Sequence, residues 1–192
     1  MSAARDSDAP HAADAPAAPA AALTVPLPGR PCPAAAALHV VGEKWALLAV
    51  REIFFGNHRF EAIARNTGAP RDRLAARLRS LEQAGVVERR PYNERPPRYE
   101  YHLTDSGRDL APVIRSLLEW GDRWVLEERP VVIVHEPGGG DGRESASREE
   151  GHAHDLDAAW VCRTCGEEVA VNTLSVDVRA PGWDRAGPTP AA

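Results

Sequence analysis

A mainly helical α+β domain with a small β-ribbon is the fold class that the sequence predicts, on three observations. Apolar residues recur at helical spacing between 33 and 84. From 86 to 104 the spacing becomes alternation on either side of a proline-bearing tip. A last helical pattern then runs towards Glu128.

The ordered part opens at Pro31-Cys32-Pro33, with Pro33 suited to the first position of a helix over Ala34 to Val41 that Gly42 closes. Lys44 to Phe55 follows, carrying Trp45, Leu47, Leu48, Val50, Ile53, Phe54 and Phe55. Those residues cover most of the circumference, which predicts a buried central helix ended by Gly56-Asn57. Phe60 to Asn66 is a short helix with Phe60, Ile63 and Ala64 on one face, and Thr67-Gly68-Ala69-Pro70 is a turn. From Arg71 to Ala84 a stripe of Leu74, Leu78 and Leu81 defines another helix, with Gly85 as its stop. Two strands are predicted at Val86 to Tyr92 and Arg98 to Thr104, around a tip of Asn93-Glu94-Arg95-Pro96-Pro97. Thr104 is suited to cap a final helix that Pro112 should kink or delay. Two short helices joined by a four-residue turn, then a basic ribbon, outline a winged helix-turn-helix.

Composition sets the boundaries of this domain. Residues 1–30 hold 11 Ala and 5 Pro with few aliphatic side chains, too little apolar surface to offset the entropy of ordering. They are read as a disordered tail, as are residues 181–192, leaving a domain at 31–129 and an extension at 130–180. The extension contains a loop at 136–157, rich in Gly, Ser, His and acid, which is expected to be flexible. Three Cys in 192 residues exclude a disulfide-stapled scaffold. No uncharged apolar run is long enough to span a membrane, and Asp6, Asp8 and Asp14 beside Arg5 argue against a secretory signal. A cytoplasmic location is the expectation.

The formal net charge of −5 argues against a polyanionic partner, but the charge is unevenly spread. Residues 30–129 carry 17 Lys and Arg against 14 Asp and Glu, and within 59–98 there are 10 Arg against 5 acids. A local basic face decides the matter, because counterions are released only where phosphate is contacted. Since Lys44 is the one Lys among 23 basic residues, a compositional preference for Arg accounts for part of the signal.

Residues 32–124 resemble the HxlR-type winged helix-turn-helix transcriptional regulators, relatives of the MarR group. The resemblance is carried by Cys32-Pro33, by Gly42-Glu43-Lys44-Trp45-Ala46-Leu47-Leu48 and by Gly56-Asn57-His58-Arg59-Phe60. It continues through Arg77-Leu78-Arg79-Ser80-Leu81-Glu82 and Gly85-Val86-Val87-Glu88-Arg89, then Pro96-Pro97-Arg98-Tyr99-Glu100-Tyr101 and Leu103-Thr104-Asp105-Ser106-Gly107. It implies a bacterial DNA-binding homodimer that switches transcription in response to a metabolite or oxidant. Such proteins often place Ser or Thr just ahead of the recognition helix, where this sequence has Ala69-Pro70-Arg71-Asp72.

Within that frame Arg71–Ala84 is the recognition helix. With its leucines turned to the core, Arg71, Asp72, Arg73, Ala76 and Arg77 lie near the major groove, whose guanine acceptors Arg can bridge. Arg73 and Arg77 are expected at base edges, and Arg71 and Arg79 at phosphates. In the ribbon, Arg90, Arg95 and Arg98 are expected on the DNA backbone or in the minor groove. The plainer alternatives are a solvated basic helix face and a charged hairpin in which Arg98 pairs with Glu94 or Glu100.

Leu117, Leu118, Trp120 and Trp124 exceed what one small domain needs to cover, so the last helix, with Ala34–Val41, is assigned to an isologous dimer interface. Cys32, at a helix N-terminus that favours thiolate, matches a Cys that some relatives use to sense oxidants. A small buried thiol is the alternative. Cys162-Arg163-Thr164-Cys165-Gly166 is a C-x₂-C-G knuckle, resembling half of a zinc ribbon, with His152, His154, His135 at the end of the strand-like Val131–Val134, or a second copy as sources of further ligands for Zn²⁺. A half-ribbon that has lost its metal fits the same residues.

The leading reading is a sequence-specific regulator binding a palindromic operator as a homodimer. A winged-helix protein-interaction module is the alternative. A C-x₂-C thiol oxidoreductase is disfavoured, because no phosphate loop, Ser/His/Asp set or H-E-x-x-H accompanies the cysteines.

Overall fold

The computed structural model describes residues 32–136 and 153–178. Tails 1–30 and 181–192, and most of the loop 136–157, therefore lie outside the described residues. The first helix, α1 (Pro33–Val41), begins on Pro33 and ends where the Gly42 N–H donates to Leu38 O at 2.8 Å. Next comes α2 (Lys44–Phe54), which buries Ala46, Ala49, Val50 and Ile53. Its C-terminal end departs from the sequence expectation: Phe54 and Phe55 are exposed, so the helix is central along one face and not all round.

That helix also buries a carboxylate. Glu52 accepts from Arg51 at 2.6 Å, from Asn57 Nδ2 at 2.8 Å and from Asn66 Nδ2 at 2.9 Å. A buried charge is tolerated only when its lone pairs are met in this way, and the bonds join α2 to α3 (Phe60–Thr67). At the end of α3, Gly68 takes φ +68°, a left-handed conformation open to Gly. Thr67 Oγ1 donates to Ile63 O at 2.7 Å and accepts from the Ala69 N–H at 3.2 Å. The hydroxyl absent at Ala69 is thus supplied two residues earlier, although it orders the turn and caps no helix.

The recognition helix is α4 (Arg71–Gln83), which buries Leu74, Leu78 and Leu81 against α2. Gly85, at φ +68°, allows the Val86 N–H to reach back to Leu81 O at 2.9 Å. The ribbon is β1 (Val87–Glu94) paired antiparallel with β2 (Pro97–Leu103), in register from Val87 opposite Leu103 to Glu94 opposite Pro97. The strands run further than the sequence predicts, leaving Arg95-Pro96 as the turn, and the register shifts by one residue at Tyr92.

Thr104 caps α5 (Asp105–Arg108), its Oγ1 accepting from the Gly107 N–H at 3.3 Å. Pro112 delays rather than kinks the last helix. The chain breaks after Arg108 and resumes as α6 (Ala111–Trp124), with Pro112 in its first turn, where its missing N–H costs nothing. Ile114 anchors α6 to the core.

Beyond α6, β3 (Val134–His135) pairs antiparallel with β4 (His154–Asp155). The sequence reading had put His154 and Asp155 inside the loop 136–157, whereas they form a strand. Arg115 donates to Ala158 O at 3.3 Å, tying this extension to α6. Among the described residues no helix is long and apolar enough to cross a membrane.

Candidate nucleic-acid interface

The three buried leucines fix how α4 is turned. Arg71, Asp72, Arg73, Arg79 and Ser80 are exposed, and Ala76 is half-buried. Ser80 Oγ donates to Ala76 O at 3.1 Å, leaving the middle of this face low and uncrowded. A helix presenting small side chains between arginines can approach a groove floor closely.

Its arginines differ in what already holds them. Among the described residues no carboxylate lies within ion-pair distance of Arg73, Arg79, Arg95 or Arg98. Arg71 instead makes a fork on Glu61, at 2.5 and 2.6 Å, and stacks over the Phe60 ring at 5.1 Å. The hydrogen bond from Arg71 holds the Glu61 carboxyl below its usual range and raises Arg71 in turn. Both groups are solvent-exposed, so water screens the pair and a phosphate can replace Glu61 at modest cost.

Arg77 lies on the flank of α4 facing α1, with its Nη1 at 3.7 Å from Glu43 Oε1 and its side chain 33% exposed. It lines a groove with Leu38, Lys44 and Gln83. The geometry therefore sets Arg73, on the outer face, apart from Arg77, on the flank.

In the wing, Arg90 bonds Glu88 on its own strand, at 2.8 Å from Nε. Arg95 and Arg98 stand exposed at the tip end. Sequence reasoning missed Arg59. Its guanidinium lies 4.7 Å from the Tyr92 ring centroid and donates to Glu100 Oε1 at 3.1 Å, joining the start of α3 to the ribbon. Arg59, Phe60, Tyr92, Arg98 and Tyr99 line an open cleft between α3 and the wing. The Gly56-to-Phe60 motif contained Arg59, but nothing in its spacing pointed to a partner in β2.

On α6, Leu117, Trp120 and Trp124 are exposed, the two indoles at 59% and 68%. Leu118 does not join them; it packs against the core. Cys32 is the N-cap residue of α1 and half-buried.

Cys162 and Cys165 sit in a tight hairpin with Gly166 at φ +75°. The backbone N–H groups of Cys165 and Thr164, with the Cys165 thiol, hold the Cys162 thiol below its usual range. His152 lies outside the described residues. His154 is in β4, its ring edge-on to His135 with centroids 5.2 Å apart. Among the described residues no group of three or more metal-binding side chains gathers.

Comparison with known proteins agrees with this architecture. Residues 40–129 match the HxlR-like helix-turn-helix family. The HTH-type transcriptional regulator Mb3122 of Mycobacterium bovis is 40% identical over 149 residues, which are 77% of this chain and 85% of the relative. The chain belongs to the HxlR-like helix-turn-helix family.

The regulator Rv3095 of Mycobacterium tuberculosis matches to the same extent, at 40% identity over 149 residues. Among solved structures, the crystal structure of PA1607, described as a candidate transcription factor, is similar with a TM-score of 0.60 and 30% identity. That match covers 77% of this chain and 95% of PA1607. The protein is a transcriptional regulator of the HxlR type with a winged helix-turn-helix fold, in a family of regulators and not of enzymes.

Proposed function

We propose that the protein binds a palindromic operator as a homodimer, one α4 in each of two successive major grooves. The observation that carries this reading is the orientation of α4. Leu74, Leu78 and Leu81 are sealed in the core, while Arg73, Ala76, Arg79 and Ser80 face outward beside a wing carrying Arg95 and Arg98. Arg73 reads a base edge. Arg71, Arg79, Arg95 and Arg98 neutralise phosphates, and Ala76 allows close approach. Arg77 contributes after exchanging Glu43 for a phosphate, and Arg90 after exchanging Glu88. The exposed Leu117, Trp120 and Trp124 form the centre of the two-fold interface, and Leu118 supports them from behind. A two-fold protein requires a two-fold site.

Selection of bound sequences from random duplexes tests the whole reading. The expected result is an inverted repeat with half-sites separated by about 10 bp, one helical turn. Arg73→Ala should cost about 1–3 kcal/mol on the selected site and little on unrelated DNA. Failure to enrich any sequence, or equal losses on both DNAs, overturns it. Cys32, half-buried at the α1 N-cap, is the thiol through which an oxidant would act. Diamide should then release wild-type protein from the selected site and leave Cys32→Ser bound.

A further inference from the structure

We propose that Cys162 and Cys165 form half of a four-sulfur zinc site, completed by the same two residues of a second copy of this chain. The hairpin around them is closed by backbone bonds. Val161 pairs with Glu168, the Val169 N–H donates to Trp160 O at 2.7 Å, and the Cys162 N–H donates to Glu167 O at 2.9 Å. The Gly166 N–H donates to Cys162 O at 2.7 Å, and the positive φ of Gly166 turns the chain so that both cysteines lie at one end.

Packing gives this hairpin little support. Trp160, Val161, Val171, Leu174 and Val176 are all exposed. An isolated two-stranded hairpin is marginal in water, and a structural metal ion can supply the missing folding energy.

The number of ligands decides the form of the site. Zinc in a structural site takes four ligands, and soft thiolates suit it. Among the described residues, one chain brings no group of three or more metal-binding side chains together, so the knuckle offers two sulfurs. Two copies related by a two-fold axis offer four. The knuckle is placed for this, because the bond from Arg115 to Ala158 O ties the chain four residues ahead of Cys162 to α6. That helix carries the exposed Leu117, Trp120 and Trp124. The second pair of sulfurs rests on the homodimer reading given above.

The test uses the full chain, purified under reducing conditions, with metal content and native mass measured together. The expected result is about one zinc ion per two chains. Titration of zinc-free protein with Co²⁺ should give thiolate charge-transfer and tetrahedral ligand-field bands that saturate at the same ratio. Cys162→Ser and Cys165→Ser should each abolish those bands without changing the far-ultraviolet circular dichroism of the helices. A dimer that takes up no zinc, one ion per chain, or bands retained in both variants overturns the assignment while leaving the dimer standing. A chain that is monomeric with and without zinc overturns the homodimer reading as well. A Cys162–Cys165 disulfide that forms in air and leaves no metal uptake after reduction also counts against the site.

Discussion

Gly107, in α5, packs tightly against the backbone at Val86 and the side chain of Leu103. A Cβ at this position would lie 2.2 Å from Val86 O and 3.2 Å from Leu103 Cβ. Replacing a helical Gly by Ala ordinarily stabilises by about 1 kcal/mol, so the sign of Gly107→Ala depends on whether Val86 can move. Thr104 Oγ1 donates to Gly85 O and Ser106 Oγ donates to the same oxygen at 2.8 Å, which fastens that backbone. The clash should prevail, with a net loss of about 1–3 kcal/mol read from the urea midpoint. An unchanged or raised midpoint would show that the junction yields. Glu52 illustrates what single residues conceal in a sequence. Its position in an apolar helix is visible, but its partner Asn66 is fourteen residues away in another helix, and no local pattern pairs them. The contact of Arg77 with Glu43 was hidden for a related reason. Helical spacing put Arg77 on the edge of the leucine stripe, and only the placement of α1 and Glu43 determines which neighbour it meets.

At the level of elements, the wing is fixed to the rest of the domain by imidazoles as well as backbone. His58 and His102 stack with centroids 4.3 Å apart, and the Tyr101 N–H donates to His58 O at 2.8 Å. Burial, followed by His58 and Arg90, pushes the His102 imidazole below its ordinary value, while Glu100 pulls the other way. The folded protein therefore holds this proton less tightly than the unfolded chain does. Stability from His102 is complete above its unfolded value and declines as pH falls through it towards the folded one. Urea midpoints should fall between about pH 7.5 and about pH 5.5, and His102→Asn should flatten that dependence. An identical slope in the variant would assign the effect to other groups. The helices were legible because glycines at 42, 68 and 85 end them in ways few other residues allow, and the wing because Tyr99, Tyr101 and Leu103 alternate. β3 was legible in part, as the strand-like run Val131–Val134 with His135 at its end, whereas β4 was not, since a two-residue strand carries no periodicity and the pairing spans eighteen intervening residues.

For the whole molecule, the charge is arranged against its own sum. A net −5 repels DNA at a distance, while the helix-and-wing face presents Arg73, Arg79, Arg95 and Arg98 with no carboxylate partner among the described residues. Association should therefore depend steeply on salt. Replacing Arg95 and Arg98 together by Ala should weaken binding alike on selected and random duplexes and lower the salt slope by about one per arginine. A slope that does not change would remove the wing tip from the phosphate path. The cysteine hairpin was visible as a motif from the beginning, but spacing within one chain cannot choose between a histidine and a second copy as the source of further ligands.

Pro91 and the extra residue at Tyr92 have a last consequence for life at high protein concentration. The outer border of β2 is partly taken by the bridge of Glu100 to Arg59 and the bond from Tyr101 to His58 O, but an open border on β1 is a template onto which a stranger's extended chain could add. Along β1 the missing amide hydrogen of Pro91 and the offset beside it interrupt that template halfway. The ribbon can thus project into solvent without recruiting its own kind into aggregates.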